Sequence, residues 1–330
     1  MRGAPKFDCG VVAFGGNAIA QDGDLFSQGA VTNAMGPTLD LFANSKLAIV
    51  HGNGPQVGAI YKEVADSGGE MTHAEVILAT QDRIGRLFME SMREQSREHS
   101  LHNTQVIVDP RDDTFSNPVK GVGDWEEGFQ SFFMAGVQYV KHPKTGLYRE
   151  AVASPEPMGI VDEQEIQRLV NSGCALVCGG GGGVPVKPRY DARQVGCNGE
   201  GVRVFEAGGE FTLVSEKVVI DKDLVAGLIG KAIGAQVMLI LTNVDGFYEN
   251  YGVANERLVD SMNPKEVRQR IGSNAKGGGS MNPKLEAAAR FAESDSGRVA
   301  VITNLDQIGR ISFGDWSKAT FVSDANLLAA

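Results

Sequence analysis

The chain is 330 residues long, 42% apolar and 22% charged, a composition that gives a globular protein a real core and excludes disorder as its main state. Thirty-one basic residues against 41 acidic ones leave a formal charge of −10; without a local Lys/Arg cluster this disfavours nucleic acid and membrane surfaces as partners, while a small anion needs only a local positive pocket. Four cysteines make no disulfide framework, no apolar run reaches the roughly 20 residues that span a bilayer, and Asp8 and Asn17 bracket the first apolar stretch too closely for a signal peptide, so a soluble cytoplasmic protein is expected.

Glycine is the informative excess, at 42 residues, about twice the usual share. It is clustered beside periodic apolar segments, unlike a flexible linker. VVAFGG at 11–16 and LAIVHGNG at 47–54 are uncharged runs ending in glycine, and each predicts a buried strand. A long helix is expected over 75–98, where Ile77, Ile84, Leu87, Phe88 and Met92 recur. Residues 111–152 break the rhythm with aromatic pieces and turn formers, and are read as a lid or small subdomain within a single domain. Asp162 and Glu165 form a capping-box pattern ahead of Ile166, Leu169 and Val170, with Gly173 as a stop.

CALVCGGGGG at 174–183 predicts a third strand with Cys174 and Cys178 on one face, as core thiols. Residues 187–216 are irregular, and VRVFEAGGEFTLV within them predicts a β-hairpin excursion at about 200–216. A helix is expected from Asp223 to Gly234 with Asp223 as its N-cap. VMLILTNVDG at 237–246 and RVAVITN at 298–304 complete five buried strands. Strands apolar on both faces, alternating with helices, indicate a mostly parallel sheet covered on each side.

In such sheets ligands bind beyond the carboxyl ends of the strands, where helices begin with unpaired N–H groups. Four glycine clusters, at 15–16, 52–58, 179–183 and 277–279, lie at strand ends or helix entries and predict a phosphate or carboxylate site. No Walker-type loop occurs, and HGNGPQVG misses the dinucleotide fingerprint because Val57 stands where its third glycine belongs. Phosphoryl transfer needs concentrated positive charge. Three lysines have the required setting: Lys222 in VVIDKDL, Lys284 in GGGSMNPKL behind Asn282 as cap and Pro283 as first helical residue, and Lys120 between turn formers in NPVKGVG. The other NPK, at 263–265, reads as a well-capped helix start. His51 is either a base or an orienter of its loop, the second being the more ordinary use of a histidine after a buried strand. No zinc-ligand spacing or nucleophile elbow is present.

FGGNAI at 14–19, HGNGPQVG at 51–58, CGGGGGVPV at 178–186, VIDKDL at 219–224, LTNVDGFY at 241–248 and GSMNPKLEAA at 279–288 together resemble the carbamate kinases of the amino acid kinase superfamily. The resemblance implies a three-layer αβα sandwich around a mainly parallel sheet of about eight strands, a protruding lid subdomain and a homodimer. It implies reversible formation of ATP from ADP and carbamoyl phosphate, with Mg²⁺, releasing carbamate. Gly15, Gly16, Asn17, Gly52, Asn53 and Gly54 would hold carbamoyl phosphate. Lys222 and Lys284 would neutralise the transferring group and Asp223 would position them. Thr242, Val244, Asp245, Tyr248 and Met281 would line the nucleotide pocket, with no metal ligand from the protein. Many relatives carry a lysine two residues before the first Gly-Gly, where this chain has Ala13, and the resemblance assigns that charge to Lys120 on the lid. Gly121 and Val122 replace the usual proline and isoleucine after it, which opens another small carboxylate or carbamate-like anion as an alternative acceptor. Gly121 and Gly123 predict a loosened lid hinge, and a non-catalytic nucleotide-binding sensor is the alternative of a different class.

Overall fold

The computed structural model of the chain describes residues 7–16, 19–128, 137–142, 145–188, 210–273 and 281–324. Its main sheet holds eight strands: β1 (Cys9–Phe14), β2 (Lys46–His51), β3 (His99–Leu101), β4 (Ala175–Val177), β5 (Val237–Thr242), β6 (Ser261–Met262), β7 (Val299–Asn304) and β8 (Ala319–Val322). They lie in the order β6-β8-β7-β5-β1-β2-β4-β3. All neighbours are parallel except β7 and β8.

The five strands expected from uncharged apolar runs are the five consecutive central ones, because a strand with helices on both faces buries every side chain. In β1, Val11 and Ala13 enter the core on one face, while Val12 and Phe14 enter it on the other. The first face packs α4 (Glu163–Asn171), α5 (Lys222–Ala232) and α7 (Met281–Glu293); the second packs α1 (Gln28–Leu41), α3 (His73–Glu94) and α8 (Ile308–Ser312). The result is an αβα sandwich. Helix α2 (Gly54–Asp66) follows β2, and α6 (Pro264–Ser273) precedes α7.

Three local expectations change. Asp221, not Asp223, caps α5: its side chain accepts the Asp223 N–H at 2.9 Å. Asp162 makes no capping hydrogen bond and instead faces His102 at 3.6 Å. Helix α7 already includes Met281, so Asn282 lies within it rather than capping it. At 263 the capped start is present, since Asn263 and Glu266 exchange side-chain to backbone hydrogen bonds at 2.9 Å. Helix α3 carries an unexpected capping box between Thr72 and Glu75.

Away from the main sheet, Lys120–Glu126, Tyr148–Val152 and Gln138–Lys141 form an antiparallel three-stranded sheet in that order. Lys120 sits opposite Val152. Beyond Val152, Ala153 bridges Val218, which ties this small sheet to the segment leading into α5. A four-stranded sheet runs Phe211–Leu213, Val184–Pro188, Gln105–Val108, Pro157–Ile160. The second arm of the expected hairpin therefore pairs with Val184–Pro188, and its first arm lies outside the described residues.

Candidate active site

The carboxyl ends of β1, β2 and β5 and the start of α5 converge. Gly52, just after β2, packs so closely on the first glycine pair that a Cβ there would lie 2.8 Å from the Gly16 nitrogen and 3.3 Å from the Lys222 side chain. Only glycine fits. Gly52 N–H donates to the Phe14 carbonyl at 2.9 Å, and a Cβ on Gly16 would meet Pro55 at 3.2 Å and the Gly54 nitrogen at 3.7 Å. Gly15, Gly16, Gly52, Asn53 and Gly54 thus form one patch at the N-terminus of α2, where backbone N–H groups are unpaired by the helix and carry partial positive charge. Asn17 lies outside the described residues.

Asn53 is buried, and its amide donates to the Thr80 hydroxyl at 2.7 Å, which in turn donates to the Ile77 carbonyl. Thr80 had no signal in the sequence, because it stands inside a long amphipathic helix like any polar residue. The glycine run at 179–183 serves this same loop from behind. A Cβ on Gly181, whose φ is +63°, would fall 2.1 Å from the Asn53 amide, and one on Gly180 would strike the His51 ring at 2.6 Å. This cluster is a buttress for Asn53 and His51. The cluster at 277–279 lies outside the described residues.

His51 is buried, stacks on Phe88 at 5.6 Å, and has Nδ1 3.2 Å from the Gly52 carbonyl. Burial pushes its pKa down to about 4. A neutral, buried imidazole that donates to the loop following it has the orienting role rather than that of the base.

The charged centre is built on Asp223, only 2% exposed. One carboxylate oxygen accepts from Lys222 and the other accepts from Lys284 at 2.9 Å. Lys222 opens α5 and Lys284 stands in the first turn of α7, so the packing of these two helices brings the ammonium groups together. The Lys222 and Lys284 side chains are 13% and 14% exposed. Burial alone would raise the Asp223 carboxyl, but the two ammonium groups overcome it and hold it below the usual carboxylate range. Burial, aided by the Lys284 charge, pushes Lys222 down against the pull of Asp223. Lys120 reaches the same place from the three-stranded sheet, 3.9 Å from Asp221.

A cavity of about 180 Å³ opens at the carboxyl ends of β1, β5 and β7, lined by Gly15 of the glycine patch with Leu241, Thr242, Asn243, Asn304, Leu305 and Asp306. Of the residues expected around a nucleotide, Thr242 lines it. Val244 and Asp245 lie on the bend after β5, where Asp245 is held by Lys318 at 2.9 Å and Gln307 at 3.4 Å. Tyr248 begins a short strand beyond them, and Met281 packs, partly buried, on the core at the start of α7. Asn304, Asp306 and Lys318 carry no signal in the sequence, since Asn304 ends β7 and the other two lie between β7 and β8, where no motif marks them.

A larger cavity, about 340 Å³ and lined by Arg93, Arg97, His99 and Cys174 among others, lies near the amino ends of β3 and β4, away from this centre. It corrects the cysteine expectation: Cys178 is buried, whereas Cys174 is half-buried and lines this cavity. Gly121, expected to loosen a hinge, pairs with Ala151, and a Cβ there would lie 2.1 Å from the Arg149 Nε. Arg149 lies over the Trp125 ring at 4.2 Å. Gly121 is thus a seat for Arg149.

Residues 8–304 match the amino acid kinase family. The chain is 34% identical to the carbamate kinase of Halobacterium salinarum over 303 residues, covering 89% of this chain and 92% of that one. It is 33% identical to the carbamate kinase of Escherichia coli O157:H7 over 314 residues, covering 92% and 96%. Among solved structures, the carbamate kinase from Giardia lamblia bound to AMP-PNP superposes with a TM-score of 0.77 at 27% identity, covering 96% of this chain and 98% of that one.

Proposed function

Because the chain belongs to the amino acid kinase family, we propose that it transfers a phosphoryl group reversibly between carbamoyl phosphate and ADP, with carbamate and ATP on the other side. The observation that carries this reading is the charge count at Asp223: two largely buried ammonium groups share one buried carboxylate, which leaves one positive charge uncompensated. An unpaired buried charge is costly, so such a centre is built to receive an anion. Phosphoryl transfer asks for this arrangement, since its transition state spreads negative charge over oxygens that fixed cations and N–H groups stabilise.

In this reading Gly15, Gly16, Asn53 and Gly54 offer N–H groups to the transferring phosphoryl, Gly52, whose own N–H is held by the Phe14 carbonyl, lets the two loops approach, and Lys222 and Lys284 neutralise the group. Asp223 holds both lysines in position, and Lys120 adds a third cation from the small sheet. The nucleotide enters at the cavity of Thr242, and Val244, Asp245, Tyr248 and Met281 extend its seat. Among the described residues no three His, Cys, Asp or Glu side chains gather as metal ligands, and both Asp223 oxygens are already engaged. That donor set fits a Mg²⁺ held by the nucleotide phosphates and its own waters. When bound there, the metal supplies charge neutralisation of the β- and γ-phosphates.

A second reading keeps the chemistry and changes the acid that receives the phosphoryl group. It is favoured by the seating of Arg149 on Gly121, directly after Lys120, which alters the surroundings of that lysine. One assay separates the readings. Purified protein given ADP, Mg²⁺ and carbamoyl phosphate should yield ATP by luciferase. No ATP, with ATP-dependent phosphorylation of another small carboxylate, would move the acceptor; nucleotide binding with no transfer to any acid would leave a sensor.

A further inference from the structure

We infer that Asp221 is a positioning residue that holds the Lys120 ammonium at the mouth of the Asp223 cation cluster before any anion arrives. This deepens the phosphoryl-transfer reading and rests on it. Asp221 splits its carboxylate between two tasks. One oxygen accepts the Asp223 N–H at 2.9 Å and caps α5, while the other faces Lys120 Nζ at 3.9 Å. The cap alone does not need a charge, because asparagine and serine cap as well as aspartate. A charge there is also favoured by the helix N-terminus, so the second contact must be tested separately from the first.

The distance matters. At 3.9 Å the pair is beyond hydrogen-bond range, so Asp221 attracts the ammonium through space and leaves its N–H groups available to another acceptor. The sequence Asp221-Lys222-Asp223 gathers three lysines from three parts of the chain: Lys222 and Lys284 on the second carboxylate, Lys120 on the first. Across the five groups, three positive and two negative, one positive charge remains. The backbone delivers Lys120 to this point, because Lys120 is paired with Val152, and the next residue, Ala153, bridges Val218, three residues before Asp221.

A double-mutant cycle of Asp221→Asn and Lys120→Ala tests the inference, since Asn keeps the cap and removes the charge. Asp221→Asn should lower kcat/KM for carbamoyl phosphate about fivefold, in keeping with a partly exposed ion pair, and leave the calorimetric Kd for ADP unchanged. In the Lys120→Ala background it should cost nothing more. Equal losses in both backgrounds overturn the inference and assign Asp221 to the cap or to the field at Lys222. If the wild-type chain makes no ATP from carbamoyl phosphate, the functional reading fails, and hydrogen exchange of residues 120–126 in the free protein still decides the role of Asp221. Exchange there should be about threefold faster in Asp221→Asn and the same in Lys120→Ala and the double variant; no difference between wild type and Asp221→Asn sinks it.

Discussion

Substitutions around Asp223 should separate stability from chemistry. Asp223→Asn leaves Lys222 and Lys284 buried with no anion between them. Removing one partner of a buried ionic cluster costs about 3–5 kcal/mol, so urea unfolding should show a loss of that size. Lys284→Met does the reverse: it keeps the Lys222–Asp223 pair and deletes the surplus charge. Its unfolding free energy should stay within about 1 kcal/mol of wild type, while ATP formation falls at least about a hundredfold, the usual cost of removing one transition-state charge stabiliser. A Lys284→Met protein that turns over normally, or that unfolds as easily as Asp223→Asn, refutes the assignment.

At the scale of elements, the segment before α5 links the small sheet to the main body. Val219 N–H donates to the Ala153 carbonyl at 2.9 Å and the Ser154 hydroxyl donates to the Val219 carbonyl at 2.7 Å. Lys217 pairs with Glu150 at 3.2 Å. His73, first residue of α3, lies 2.7 Å from the Val218 carbonyl through Nε2 and 2.8 Å from the Tyr61 hydroxyl through Nδ1. A carbonyl can only accept, so Nε2 carries the proton and Nδ1 receives one from Tyr61 in the neutral ring. Replacing His73 by Phe fills the volume but leaves the buried Val218 carbonyl without its partner, worth about 1–3 kcal/mol, and takes the acceptor from the half-buried Tyr61 hydroxyl. Such a variant should unfold at lower urea and lose kcat, because Lys120 and Lys222 both hang from this segment, yet bind ADP as before. An unchanged kcat would separate the clamp from the chemistry.

How far these elements could be read in advance follows from their burial. The five central strands are legible because both faces are covered, which makes even the three-residue β4 part of a longer apolar run, whereas β3 and β6 are edge strands and β8 lies next to an edge, each with two to four residues that carry no such run. The cap of α5 is not decided by the sequence, because Asp221 and Asp223 are both good capping residues and nothing local says which carboxylate turns to the backbone and which to the lysines. The glycine clusters were legible as a group, but not their division of labour: Gly52 permits close approach within the site, while Gly181 makes room for Asn53. Thr80 acts through Asn53, distant in the chain, so no local pattern marks it; Asp221 stands in the VIDKDL motif, but nothing local there points to Lys120.

For the whole molecule, acid stability turns on histidines held neutral in the interior more than on the surface ion pairs. Pairs such as Arg86–Asp82 and Arg168–Glu165 are exposed, and such pairs contribute little each. His51 is different: burial lowers its pKa from 6.5 to about 4, and His73 is lowered for the same reason. Between those two values the unfolded chain takes up a proton at residue 51 that the folded chain refuses, so unfolding is favoured as pH falls. The contribution of His51 is fully present above pH 6.5 and disappears as pH drops toward 4, a change of about 3 kcal/mol from a shift of this size. Carboxylates held low, such as Asp315 at about 2, lose their contribution only at more acidic pH. Urea midpoints measured at steps from pH 7.5 to 4.5 should therefore decline, steeply below 6.5. A His51→Gln variant, whose amide can still donate to the Gly52 carbonyl but cannot titrate, should start less stable and decline less, retaining the share due to His73. If its slope with pH equals that of the wild type, the buried ring at 51 is not what makes the folded protein acid-sensitive.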